Sequence, residues 1–144
     1  KHCAMEKGGR EWIGGTKEVL EWLRKKDELG QDTCLLSPIP SFVSRHVAIS
    51  YCDQHKKPWF YLAITSDTTE ADLRQRRSLR DDHTQIFEDS VVVQAALTGG
   101  ILILDGLHLA ERNVLPALNN LLEDRTMPLD DGRMLVSPTY YDSP

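Results

Sequence analysis

Four consecutive aliphatic residues, Ile101-Leu102-Ile103-Leu104, constrain the fold of this chain more than any other feature. A strand that is apolar on both faces is typical of a parallel sheet covered by helices. Gly99 and Gly100 precede this strand, and Asp105 follows it directly. Strand-like and helix-like segments alternate along the rest of the chain, which predicts an α/β fold with a mainly parallel sheet and right-handed crossovers.

The other elements are predicted from periodicity, capping residues and helix-breaking residues. Helices are predicted over 16–28, from Val47 to about His55, from Glu70 to about Leu79, over 91–97 and from Asn113 onward. Strands are predicted over 34–36 and 59–64, and Asp130-Asp131-Gly132 is predicted to turn a hairpin between 127–129 and 134–136. The helix from Glu70 is rich in arginine, and its charged face is expected to lie in solvent.

Composition excludes several classes of protein. A length of 144 residues suits one domain, and no apolar run approaches the roughly 20 residues that a membrane span needs. A net charge of -5 argues against nucleic acid as the main partner. Cys3, Cys34 and Cys52 form no paired motif, so no disulfide framework or zinc site is expected and a soluble, intracellular, reducing location is favoured. The chain begins Lys-His-Cys, which suggests a processed product or a piece of something longer.

Ligands of open parallel sheets bind beyond the carboxyl ends of the strands, which directs attention to the loop after Leu36 and to Asp105. An aspartate that closes a buried aliphatic strand is the Walker B arrangement, in which the carboxylate holds Mg²⁺ directly or through water. The alternative is a structural aspartate that caps the following turn.

Five segments carry a resemblance to a known family. The segment 99–125, with Asp105 after its aliphatic strand, closely resembles the Walker B strand and following helix of the dynein-related and MoxR-like AAA+ ATPases. The segment 67–73 resembles the T-T-E-x-D-L segment of the same group, and 27–32, 73–77 and 110–116 resemble the first AAA+ module of a very large mitochondrial member. The resemblance covers roughly 18–136 and implies a three-layer αβα sandwich of the P-loop NTPase type, ATP and Mg²⁺ as ligands, and a location in the mitochondrial matrix.

The phosphate loop departs from the family pattern. A working loop reads G-x-x-x-x-G-K-[S/T], because its backbone N–H groups curl round the phosphates and its lysine reaches the β and γ oxygens. This chain has neither glycine nor lysine in the corresponding segment, which reads Ser37, Pro38, Ile39, Pro40, Ser41, Phe42, Val43, Ser44, Arg45, His46. Arg45 is the candidate replacement for the cation and Ser44 for the hydroxyl, although their order is reversed. The candidate nucleotide-binding residues are therefore Ser37, Pro38, Ile39, Pro40, Ser41, Ser44, Arg45 and His46.

The resemblance also implies a missing general base. Members that hydrolyse ATP normally carry a glutamate after the Walker B aspartate, and this chain carries Gly106. Glu111 is the nearest carboxylate in the sequence, but it is expected to be an acid near a helix N-terminus. No catalytic residue is assigned, and enzymatic activity stays open.

The expected organisation is an N-terminal extension over 1–15 and a partial AAA+ domain over 16–144, without the sensor strand, arginine finger and lid of the family. Two parallel strands would then flank an unfilled position in the sheet, so we expect either a protein partner or the remainder of a larger chain to complete it. Two hypotheses follow: a nucleotide-binding module with weak or absent hydrolysis, or a pseudo-ATPase scaffold within a larger assembly or ring oligomer.

Overall fold

A computed structural model describes residues 6–7, 11–12, 16–36 and 42–138 of this chain. The chain divides into two compact units, Lys1–Trp59 and Phe60–Pro144, and each is described here by itself. No described helix is both long enough and apolar enough to cross a membrane. The boundary predicted between residues 15 and 16 stays a prediction.

The first unit contains a short hairpin and two helices. Strands β1 (Glu6–Lys7) and β2 (Glu11–Trp12) pair antiparallel, and helices α1 (Thr16–Glu28) and α2 (Phe42–Gln54) follow. The predicted bounds of α1 are confirmed, and Gly30 takes a positive φ of 64° where the helix has ended. Helix α2 begins earlier than predicted, at Phe42 instead of Val47.

The strand predicted over 34–36 is wrong, because these residues are described without regular structure. A strand needs a hydrogen-bonded neighbour, and none of the strands that the structure describes pairs with this segment. Composition alone therefore misled the prediction: Cys34-Leu35-Leu36 is apolar, but Leu36 is 88% exposed.

An ion pair and a hydrogen bond join the end of α1 to the second half of α2. The Tyr51 hydroxyl donates to Asp27 Oδ2 at 2.6 Å, and the Lys57 ammonium contacts the same oxygen. The hydrogen bond from Lys57, followed by that from Tyr51, lowers the pKa of Asp27. Leu23 of α1 and Val47 of α2 are buried, so each helix also contributes apolar side chains to the interior of this unit.

The parallel sheet of the α/β fold is confirmed in the second unit, where β3 (Trp59–Ala63) pairs with β6 (Ile101–Asp105). The backbone N–H of Ile64 donates to the carbonyl of Asp105 at 2.7 Å and extends this pairing by one residue. One face of the sheet joins the hydrophobic core. The core-facing residues of the two strands and of the residue after β3 are Leu62, Ile64, Leu102 and Leu104.

The arginine-rich helix predicted from Glu70 to about Leu79 is wrong beyond its first turn. Helix α3 spans Glu70–Leu73, and strands β4 (Gln75–Leu79) and β5 (Gln85–Asp89) then form an antiparallel hairpin. All five residues of β4 pair with β5, so pairing across the hairpin outweighs the helical preference of the local sequence. The arginines accordingly lie on the end of α3, on β4 and after it.

The remaining elements follow the predictions closely. Helix α4 (Val91–Thr98) has Ser90 as its N-cap, and Gly99 ends it in the left-handed region. A 3₁₀ turn (Leu107–Leu109) precedes α5 (Leu115–Asn119), which continues as a π-helical turn (Asn120–Asp124). Strands β7 (Thr126–Pro128) and β8 (Met134–Val136) form the predicted hairpin.

A buried glutamine connects the two hairpins of the second unit. Gln75 is fully buried, and its amide nitrogen donates to Asp89 Oδ1 at 2.7 Å and to Asp131 Oδ2 at 2.8 Å. Its carbonyl accepts from the backbone N–H of Asp131 at 3.1 Å. Arg133 bridges the same two carboxylates. The hydrogen bond from Gln75 is the largest cause that lowers the pKa of Asp131 to about 2.

Candidate nucleotide and magnesium site

Asp105 lies at the carboxyl end of β6, where the sequence predicts it. Alternate residues of a strand point to opposite faces, so Asp105 points away from the face that carries Leu102 and Leu104. Asp105 is half-buried, and its Oδ2 accepts a hydrogen bond from the hydroxyl of Tyr61 at 2.9 Å. Tyr61 belongs to the neighbouring strand β3, so both strands of the parallel sheet contribute to this position.

Gly106 follows Asp105 with a φ of 82°, which side chains with a Cβ rarely adopt. A Cβ built at this position would lie 2.6 Å from the carbonyl oxygen of Ile64, closer than real Cβ atoms approach. The backbone directly after β3 therefore lies close against Gly106. The close approach of the Ile64 carbonyl favours glycine at this position.

The phosphate-loop candidates fall into two groups. Ser37, Pro38, Ile39, Pro40 and Ser41 lie outside the described residues. Ser44, Arg45 and His46 lie in the first two turns of α2, where Ser44 and Arg45 are half-buried and His46 is exposed. The prediction of a loop reaching His46 is wrong for these three residues, because the helix already begins at Phe42.

The candidates occupy different units of the chain. Ser44, Arg45 and His46 belong to the first unit, and Asp105 to the second. Within the second unit, Asp105, Tyr61 and Gly106 come together at the end of the sheet. In a working phosphate loop, the lysine and the hydroxyl-bearing residue stand at the start of the helix that follows the loop. Ser44 and Arg45 likewise lie near the start of α2.

The donor set around Asp105 fits a magnesium ion that arrives with phosphates. Within the part of the chain that the structure describes, no three His, Cys, Asp or Glu side chains form a group that could hold a metal. Mg²⁺ usually takes one or two carboxylates, several waters and the oxygens of a substrate phosphate. One carboxylate at a strand end suits this arrangement, and a magnesium site formed by protein alone does not fit.

A separate cleft of about 480 Å³ opens in the second unit at the carboxyl end of β3. Its lining includes Thr65, Thr68, Asp72 and Ser90, and Asp105 is not among the described residues that line it. The T-T-E-x-D-L segment forms part of this wall, and its side chains bond locally. Thr69 caps α3, and the backbone N–H of Thr69 donates to Asp72 Oδ2 at 2.9 Å. This hydrogen bond is the largest cause that lowers the pKa of Asp72.

Sequence reasoning did not identify Tyr61 or the steric role of Gly106. The available signal for Tyr61 was the alternation of strand residues, which places 61 and 63 on one face of β3. No sequence pattern reveals which residue of β6 lies opposite, because the register of β3 against β6 depends on the tertiary fold.

Comparison with known proteins agrees with the geometry. Residues 40–143 match the family described as AAA domain (dynein-related subfamily). The chain is 50% identical over 123 residues to von Willebrand factor A domain-containing protein 8 of Mus musculus. The matched segment covers 85% of this chain and 6% of that protein, so the chain spans only a small part of its relative. The family match over residues 40–143 and the 50% identity over 85% of the chain show that the chain belongs to the dynein-related subfamily of AAA domains.

Proposed function

We propose that this chain is a nucleotide-binding AAA+ module whose own hydrolysis of ATP is absent or very slow. The observation that carries the proposal is the contact of Gly106 with Ile64, because it excludes a side chain where the family places its catalytic glutamate. A carboxylate that orients and deprotonates water contributes typically 10²–10⁴-fold to a rate. No replacement carboxylate follows Asp105 in the adjoining turn, since Leu107, His108 and Leu109 form it.

The weakened phosphate loop supports the same conclusion. Arg45 and Ser44 are the side chains proposed to contact phosphate from the start of α2, and residues 37–41 are further candidate nucleotide-binding residues. The arginine side chain ends in a planar guanidinium and is longer than that of lysine, which ends in a compact ammonium. Pro38 and Pro40 have no backbone N–H to donate to a phosphate. Fewer donors around the transferred phosphate mean less electrostatic stabilisation of the transition state. Binding is therefore proposed to survive better than turnover.

Asp105 is the proposed magnesium ligand. Asp105 would hold the ion, and the ion would supply positive charge that neutralises the charge of a bound phosphate. The second unit contributes one carboxylate to this proposed site, held by Tyr61. Residues 16–144 are proposed to form part of an AAA+ core, and residues 1–15 an extension to it.

Calorimetric titration with Mg-ATP tests this proposal. The expected result is micromolar to millimolar binding that Asp105→Ala abolishes, together with phosphate release no faster than in a blank. The variant Gly106→Glu is expected to restore no turnover, because the added side chain meets the Ile64 carbonyl. Phosphate release by the wild-type chain that Asp105→Ala eliminates would contradict the proposal.

A second candidate is a scaffold role without nucleotide. The strand β6 has a single hydrogen-bonded neighbour, β3, among the described strands, and the chain matches only 6% of its much longer relative. A protein partner or the remainder of a larger chain is proposed to pair with β6, within a mitochondrial assembly or a ring oligomer. Absence of heat at millimolar Mg-ATP would favour this candidate, and sedimentation of the chain with and without nucleotide would test ring formation.

A further inference from the structure

We infer that Tyr61 is a positioning residue for the magnesium ion, because its hydroxyl holds the Asp105 carboxylate in one orientation from the neighbouring strand. The inference rests on the proposed function, since it concerns the same carboxylate. The hydroxyl of Tyr61 donates to Asp105 Oδ2 at 2.9 Å, a normal length for a bond between a hydroxyl and a carboxylate.

The position of both residues favours a functional role for this bond. Asp105 is the last residue of β6, and its backbone accepts from Ile64, so the main chain is fixed where the side chain leaves the sheet. The orientation of the carboxylate depends in addition on the hydrogen bonds that its oxygens accept. A carboxylate offers about four lone-pair directions, and engaging Oδ2 with Tyr61 selects the direction in which the others point.

The opposite face of the sheet supplies the packing that fixes these strands. Leu62, Ile64, Leu102 and Leu104 contact the core, while Tyr61 lies on the other face of β3. Removing the tyrosine hydroxyl therefore leaves the core contacts intact. Partners that orient a metal ligand typically contribute 10–100-fold to metal affinity.

The test measures how much magnesium improves ATP binding. Affinity for ATP is determined by calorimetry with Mg²⁺ and again with EDTA, and the ratio of the two dissociation constants isolates the metal-dependent part. Tyr61→Phe keeps the ring and removes only the hydroxyl. We expect this variant to reduce the ratio about tenfold or more while binding of metal-free ATP stays unchanged. Mn²⁺ in place of Mg²⁺ gives a second readout, because its electron paramagnetic resonance spectrum reports the bound fraction directly.

A matched control exists in the other unit. Tyr51→Phe also removes a hydroxyl that donates to an aspartate, here Asp27 at 2.6 Å, and it is expected to leave the magnesium ratio unchanged. Tyr61→Leu serves as a second variant that removes the hydroxyl, should Tyr61→Phe fail to fold.

Each outcome has a defined meaning. An unchanged ratio in Tyr61→Phe, or an equal loss of affinity with and without magnesium, overturns the positioning role and leaves the proposed function intact. Absence of ATP binding by the wild-type chain overturns both the positioning role and nucleotide binding.

Discussion

Replacing Gly106 by alanine tests the argument that the fold excludes a side chain beside Asp105. Two costs follow from the structure. The φ of 82° is a left-handed conformation that costs an L-residue about 1–2 kcal/mol. The new Cβ would meet the Ile64 carbonyl at 2.6 Å, and forcing atoms into filled space costs about 1–3 kcal/mol. We therefore expect Gly106→Ala to lower the free energy of unfolding by about 2–5 kcal/mol.

Gly99→Ala is the matched control. Gly99 also has a left-handed φ, of 69°, but a Cβ there would meet nothing within 4 Å. This variant should lower the free energy of unfolding only by the cost of the left-handed φ, about 1–2 kcal/mol. Urea unfolding followed by circular dichroism measures the loss in each variant. The expected difference between Gly106→Ala and Gly99→Ala corresponds to a shift of about 1 M in the urea concentration at the unfolding midpoint, when the m-value lies in its usual range. Equal losses in the two variants would refute the steric argument, and with it the main support for absent hydrolysis.

Three further predictions concern the second unit. Gln75→Leu should lower the free energy of unfolding by about 1–3 kcal/mol, because it removes three hydrogen bonds at a fully buried site. The control Gln85→Leu, at an exposed position of the same hairpin, should change the free energy of unfolding by less than about 0.5 kcal/mol. Ser90→Ala should lower the free energy of unfolding by about 0.5–2 kcal/mol, since the Ser90 hydroxyl accepts a hydrogen bond from the Val93 N–H at 3.2 Å. Ser90→Thr should retain most of this stability, and equal losses in the two variants would rule out the capping role. The pKa of Asp131 is lowered from 3.8 to about 2, so the ionised carboxylate stabilises the fold above pH 3.8, and this contribution is lost as the pH falls towards 2. The variant Asp131→Asn should lack this pH-dependent loss of stability, and identical acid-unfolding curves for the variant and the wild-type chain would contradict the prediction.

Local sequence was sufficient for the elements that end in recognisable caps. The bounds of α1, the Ser90 and Gly99 caps of α4 and the turn at Asp130–Gly132 depend on residues within a few positions of one another. Their free energy comes from backbone geometry and from short-range hydrogen bonds, which the sequence displays directly. The strand that Asp105 ends was equally evident, because four consecutive aliphatic residues are typical of a buried strand in an α/β chain.

Segments that depend on distant partners were predicted less well. The residues from Gln75 to Leu79 carry a helical charge pattern, yet they form a strand because β5 pairs with them and Gln75 binds Asp131, which lies 56 positions away. The apolar segment 34–36 has strand composition but has no strand partner among the described residues. In both cases the deciding free energy comes from contacts that a local pattern does not contain.

The sequence by itself determined the family resemblance, the β6 strand with Asp105 at its end, and the absence of lysine from residues 37–46 and of glutamate from position 106. Only the tertiary structure decided that Tyr61 holds Asp105 and that the Ile64 carbonyl excludes a side chain at Gly106. The physical reason is the register of β3 against β6. Two strands separated by about forty residues become neighbours only after folding, and that register sets which atoms meet at the site.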